Sequence, residues 1–433
     1  MAEPFPPVLR MEDGPDGKAD LAGEPGQAGP LIDSPPAAAS PAQRSSGGPP
    51  AEPPAASADR ARPGNISAPD RQAYAAIDLG TNNCRLLIAR PAGENFAVID
   101  AFSRVVRLGE GLAQTGRLGD AAMDRAVAAL GVCADKLKRR NIHLARSVAT
   151  EACRRAANGA EFIDRVRRET GIALNVISAQ EEARLAVLGC HILLEQGEGP
   201  AMIFDIGGGS TELILVENGP TVPRILDWQS VPWGVVSLTE TCGDEPATRA
   251  GREARYAAMH GLVRDAFAPF AERVAPARDR GQAQGDDLGA LRLLGTSGTV
   301  TTLASLHLDL PQYDRSAVDG VIVPAAAMRG ISQRLSGLSL AERRELPCIG
   351  PDRADLVVAG CAILDAILDL WPAHRLGVAD RGIREGILRS LMAGGGRPQP
   401  QPQPQPHQAQ PPQQPQPQRH HAQSRAPTRA RRS

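Results

Sequence analysis

The stretch FDIGGGSTEL, residues 204–213, places an aspartate, three glycines, two hydroxyls and a glutamate in one short run. Consecutive glycines cost backbone entropy and bring nothing to pack, so a strand interior has no use for them. Between two strands, Gly207, Gly208 and Gly209 instead gather backbone N–H groups in a concave turn open to an anion, phosphate above all. Ser210 and Thr211 are expected to add hydroxyl donors. An acid beside such a turn repels phosphate unless a cation lies between them. Asp205 and Glu212 are therefore the expected ligands of Mg²⁺, an ion held by one or two carboxylates plus water and substrate oxygens.

Four further segments carry the same kind of chemistry. AIDLGTNN repeats the arrangement of strand, Asp, apolar residue and Gly, which makes Asp78, Gly80, Thr81 and Asn82 a second candidate turn, followed by Arg85 as a phosphate clamp. In LLGTSGTVTTLASL a strand ending at Leu294 leads through Gly295, Thr296, Ser297 and Gly298 into a helix, again turning free N–H groups toward an anion. In VISAQEEARL, Ser178 and Glu181 match a capping box, in which the glutamate folds back to the N-cap amide. Adjacent helical residues point about 100° apart, so Glu181 and Glu182 cannot both face one site. Glu182 is left as the residue free to act as general base toward water. Arg384, in DRGIREGIL, is a further candidate phosphate contact. His143, His191, His307 and His374 are isolated, so a zinc site is not expected.

The elements that must hold these residues alternate between apolar strands and amphipathic helices. The pattern restarts midway. Ile77-Asp78-Leu79-Gly80 aligns with Phe204-Asp205-Ile206-Gly207 at an offset of 127 residues, and LLIA at 86–89 then falls on LILV at 213–216. At the same offset Arg85 falls on Glu212, so one half offers a cation where the other offers an acid. A duplicated α/β domain with two facing hairpins is the natural reading. The first domain is expected over residues 72–199 and the second over 200–394. The Pro/Ala/Gly-rich segment 1–71 and the Pro/Gln-rich segment 395–433 have too little apolar surface to offset ordering entropy and are expected to be disordered tails.

Bulk properties exclude several classes. The chain has 433 residues, and its 48 Lys and Arg nearly balance 49 Asp and Glu, so overall charge points to no polyanionic partner. No nucleic-acid partner is expected; the basic end RAPTRARRS reads as a solvated tail. Seven cysteines without a CxxC pair read as free thiols of a reducing compartment. No signal peptide or membrane span is apparent, which gives a cytoplasmic protein without a membrane partner; a homodimer is left open.

The motifs AAIDLGTNNCRLLIA, VATEACRRAANGAEF, ISAQEEARL, FDIGGGSTEL, LLGTSGTVTTLA and DRGIREGIL, in this order, resemble the exopolyphosphatase / guanosine pentaphosphate phosphohydrolase family over about residues 73–390. The resemblance implies an actin/Hsp70/sugar-kinase-like duplicated fold with an active-site cleft between two domains. It also implies Glu182 as the base and Asp205 and Glu212 as Mg²⁺ ligands, with Asp78, Arg85 and the GTSGT turn lining the cleft. The folded sequence ends near 394, as in a short two-domain form without the additional C-terminal helical region of longer members. The implied activity is hydrolysis of a terminal phosphoanhydride. Inorganic polyphosphate is the expected substrate, with guanosine pentaphosphate (or tetraphosphate as ligand) the alternative. A kinase of the same fold and a non-catalytic alarmone-binding sensor are the rivals.

Overall fold

The computed structural model describes residues 72–394, apart from 94, 198, 218, 220 and 284–290. The expected tails, 1–71 and 395–433, lie outside the described residues. Among the described residues eleven strands form two sheets. The first sheet holds β1 (Ala73–Leu79), β2 (Asn83–Ala92), β3 (Asn95–Val105), β4 (Ile142–Ala149) and β5 (Leu174–Val176), in the order β3-β2-β1-β4-β5. The second holds β6 (Ala201–Ile206), β7 (Thr211–Glu217), β8 (Arg224–Val231), β9 (Arg292–Thr296), β10 (Ile322–Pro324) and β11 (Arg375–Ala379), in the order β10-β11-β9-β6-β7-β8.

The two sheets share one plan. In each, three strands run as an antiparallel meander, and the first of them pairs in parallel with a strand that follows a helical crossover. A further parallel strand, β5 or β11, completes the set, and the second sheet adds only the short antiparallel β10. The fold is thus the duplicated α/β arrangement of the actin-like class, and the repeat read at an offset of 127 is real in register. Asp78 stands opposite Arg85 across β1 and β2, and Asp205 stands opposite Glu212 across β6 and β7.

Composition explains why these segments became strands and helices. β1 and β6 are buried on both faces, so each reads as a nearly continuous apolar run rather than an alternating one. The helix Gly159–Thr170 ends where Gly171 takes the left-handed conformation at φ 74°, as its position in the sequence predicts.

Two helices tie the halves together by exchange. The helix Ala179–Cys190 follows β5, yet its Ala183, Ala186 and Val187 pack on Ile203 and Ile214 of the second sheet. The helix Ile383–Gly394 follows β11, yet its Ile387, Leu388 and Leu391 pack on Tyr74, Ala76 and Leu87 of the first. The two helices cross at close range. A Cβ on Gly386 would sit 2.1 Å from the Leu185 carbonyl oxygen, and one on Gly189 would sit 1.9 Å from that of Gly382. Only glycine allows that approach. All seven cysteines are free thiols, and among the described residues no helix is long and apolar enough to cross a membrane.

Candidate active site

The β1–β2 and β6–β7 turns face each other across one cavity, which both line. Each turn is closed by the same hydrogen bond. The Gly80 N–H donates to the Asn83 carbonyl at 2.9 Å, and the Gly207 N–H donates to that of Ser210, also at 2.9 Å. Among the described residues the amides of Thr81, Asn82, Gly208 and Gly209 have no backbone acceptor, which leaves them as donors for an anion. The glycines of the second turn also serve close approach. A Cβ on Gly209 would lie 2.6 Å from Thr81 Oγ1 and 3.1 Å from Glu151 Cγ, so a side chain there would wedge the two hairpins apart.

The cavity brings together Asp78, Gly80, Thr81, Asn82, Arg85, Glu182, Asp205, Gly207, Gly208, Gly209, Ser210, Glu212, Thr296, Ser297, Gly298 and Arg384. Two residues expected at the site are elsewhere. Thr211 is fully buried, and its hydroxyl donates to the Trp233 carbonyl at 2.7 Å. Side chains alternate along a strand, so Ser210 and Glu212 share the cavity face while Thr211 points away. Gly295 belongs to β9 rather than to the turn, because the strand runs two residues past Leu294. A Cβ there would meet the Phe204 ring at 2.6 Å, so Gly295 serves the packing of the core under the sheet.

Glu181 also behaves differently from expectation. Ser178 Oγ accepts from the Glu181 N–H at 3.2 Å, so the N-cap half of the box forms. The Glu181 carboxylate, however, accepts from Arg184 at 2.8 Å and Arg146 at 3.0 Å instead of folding back. Burial would raise its pKa, but those two guanidinium groups hold it below the usual carboxylate range. Glu182, one step round the helix, turns into the cavity.

Four of the cavity acids, Asp78, Glu182, Asp205 and Glu212, are harder to ionise than in water. Burial raises Asp78 to about 6 despite Arg85 and Arg384, and one of its oxygens, Oδ1, is buried with no partner among the described residues. Burial also raises Asp205, against the pull of the Ser297 hydroxyl that donates to its Oδ1. Glu212 rises to about 7 through burial and the neighbouring Asp205, although Ser210 and Ser230 donate to its Oε1 at 2.7 and 2.9 Å. Glu182 is raised well above the ordinary range by burial and then by Glu212, opposed by Arg154. Such a donor set, with an orphaned buried oxygen, suits a hard divalent cation. Among the described residues no three carboxylate, histidine or cysteine groups form a closed chelate, so such a cation would have one or two protein ligands and open positions.

The third wall is the β9-to-helix turn. Ser297 sits at φ 81°, ψ −175°, a region that ordinary residues avoid at a cost of about 1–3 kcal/mol. That backbone carries its hydroxyl onto Asp205 and opens the helix Gly298–His307 toward the cavity, where its first amides add to the anion donors.

Sequence reasoning missed several residues. Glu151 lines the cavity, and Arg154 donates to Glu182, although both lie in the VATEACRR motif. Arg353, Asp380 and Arg381 also line it. Arg353 carries a usable signal, a cation just before the apolar helix Val357–Leu370.

A duplicated α/β fold with a cleft lined by acids and unpaired turn amides between its two hairpins is the arrangement expected of a phosphate-handling protein. The profile of the Ppx/GppA phosphatase family matches residues 87–394, and the chain belongs to that family. It is 32% identical over 333 residues to Exopolyphosphatase 2 of Mycobacterium tuberculosis, covering 73% of this chain and 98% of that protein. A crystal structure of the Ppx/GppA family member of Aquifex aeolicus is 26% identical and superposes with a TM-score of 0.58, covering 76% of this chain and 99% of that one. A crystal structure of an exopolyphosphatase from Cytophaga hutchinsonii, 24% identical, reaches a TM-score of 0.66 over 75% of this chain and 98% of that one; it speaks for the fold alone.

Proposed function

We propose that the chain is a Mg²⁺-dependent exopolyphosphatase that removes the terminal phosphate of inorganic polyphosphate. The observation that carries this reading is Glu182. It is a buried carboxylate aimed into the cavity, with two sets of free turn amides and two further acids of the second hairpin around it. The mycobacterial relative bearing the name exopolyphosphatase supports the choice of substrate.

The terminal phosphoryl group enters the cavity that both turns line, where the amides of Thr81, Asn82, Gly208 and Gly209 and the Ser210 hydroxyl are the donors for its oxygens. Arg85 and Arg384, on the same cavity wall, hold the following phosphate and offset its charge. Glu182 accepts a proton as the water oxygen attacks phosphorus. The bond to the bridging oxygen breaks, and its electron pair leaves with the shortened chain. Asp205 and Glu212 are the residues that would hold Mg²⁺, which supplies charge neutralisation at the transferring group.

Guanosine pentaphosphate presents the same reacting group, so the deciding experiment compares substrates. Phosphate release is measured on long-chain polyphosphate, tripolyphosphate and guanosine pentaphosphate, each with Mg²⁺ and with chelator. Release from both polyphosphates that chelator abolishes is the expected result. Release from guanosine pentaphosphate alone moves the protein to alarmone turnover. Binding without release from any of the three makes it a sensor.

A further inference from the structure

A general base must be aimed as well as present, and the helix carrying Glu182 does not aim it alone. Arg154 lies on the short helix Glu151–Arg155, directly after β4. Its Nη1 donates to Glu182 Oε2 at 2.6 Å and to the Ile177 carbonyl at 2.9 Å. Its Nε and Nη2 donate to Glu151 Oε2 at 3.2 and 2.8 Å. Every nitrogen of the guanidinium is therefore engaged, on three different partners. Ile177 immediately precedes Ser178, the N-cap of the helix bearing Glu182, so the same group fixes both the start of that helix and the carboxylate it presents.

Glu151 and Glu182 are among the residues that line the cavity, and Arg154 is not. The guanidinium touches the base directly. Charge explains why the group is an arginine. Glu212 from β7 and Asp78 from β1 act on Glu182 with like charge, and the Arg154 cation opposes them with a direct hydrogen bond. A planar fork can serve two carboxylates and a carbonyl in fixed directions, which a lysine ammonium cannot.

We infer that Arg154 is a positioning residue that holds the Glu182 carboxylate in line with the attacking water. The inference rests on the assignment of Glu182 as base. It is distinct from a structural role, because the loss on removing Arg154 then passes entirely through Glu182.

The test is a double-mutant cycle on tripolyphosphate hydrolysis. Arg154→Ala is expected to lower kcat by about 10²-fold, the cost of misplacing a reacting group, and to leave KM within about threefold. Added guanidinium ion should restore part of that kcat. In the Glu182→Gln background, Arg154→Ala should cost less than about threefold more, because residues that act as a unit are not additive. Should Arg154→Ala not fold, Arg154→Lys carries the cycle; its expected loss is about tenfold in kcat, again absent in the Glu182→Gln background. Multiplicative losses in the double variant would overturn the inference, as would a rise in KM at unchanged kcat or wild-type kcat in Arg154→Lys. A Glu182→Gln enzyme with near wild-type turnover sinks the base assignment itself, whatever Arg154 does.

Discussion

The hairpins β1–β2 and β6–β7 have the same strand pairing, the same four-residue turn and the same closing hydrogen bond, yet they present opposite chemistry. In the first, Asp78 faces Arg85 across the strands and the turn keeps side chains, Thr81 and Asn82. In the second, Asp205 faces Glu212 and the turn is glycine. Duplication therefore preserved the backbone that gathers amides and changed one register position from cation to acid. Under the proposed function that difference divides the work: the half with Arg85 would hold phosphate, and the half with Glu212 would hold a cation. The bare second turn lets the halves close on each other.

The division can be broken by exchanging its charges. Glu212→Gln is expected to lower kcat by about 10²-fold or more and to raise the Mg²⁺ concentration for half-maximal activity, since metal assistance is worth several kcal/mol. Kinetics titrated with Mg²⁺ check this. Arg85→Gln should leave the Mg²⁺ requirement alone and raise KM by about tenfold, the loss of one charge-assisted hydrogen bond. If the two variants share one signature, the halves are not specialised in this way.

Gly209→Val sharpens the steric side of the comparison. With its Cβ set against Thr81 and Glu151, the hairpins must part, and kcat should fall by roughly 10²-fold. Gly209→Ala should lose less, and Thr81→Ala should recover part of that loss by removing the nearer obstacle. Steady-state rates of the single and double variants decide it.

The acids give a smaller effect, on stability. Asp78 and Glu212 have folded-state values near 6 and 7, above the ordinary 3.8 and 4.5 of the unfolded chain. Between those values the folded protein keeps protons that the unfolded chain has lost, so stability falls as pH rises from about 4 to 7. The metal-free protein should accordingly melt at a higher temperature at pH 5.5 than at pH 8. Asp78→Asn and Glu212→Gln should flatten the difference, and added Mg²⁺ should raise the melting temperature mainly at pH 8. Carboxylates with lowered values, such as Asp100 and Glu181, lose their contribution only as pH falls below about 4.5, below the two pH values compared. Ser230→Ala should have the least effect, a few-fold in kcat, because Ser210 still donates to Glu212.

The sequence made the hairpins legible because their chemistry is local. Strand, acid, glycine and turn lie in consecutive residues, and the offset between the two copies predicts which residues stand opposite each other. The errors came from side-chain direction. Thr211 and Gly295 are neighbours in sequence of cavity residues, but strand alternation turns both to the other face. For Glu181 the local pattern points to its own N-cap, but Arg146 from β4 and Arg184 from the next turn of its helix are in reach. Arg154 and Glu151 could not be assigned from spacing, because they meet Glu182 only once β4 and β5 lie side by side. The exchange of the helices Ala179–Cys190 and Ile383–Gly394 between the sheets was equally hidden, being fixed by packing across the whole molecule.

The central claim is that Glu182 in this cleft activates water against a terminal phosphoanhydride. Its most direct test is phosphate release from polyphosphate by Glu182→Gln with Mg²⁺, alongside a binding measurement on the same substrate. Turnover lower by roughly 10²–10⁴-fold with binding retained is the predicted result. Turnover within a few-fold of the unaltered protein would contradict it.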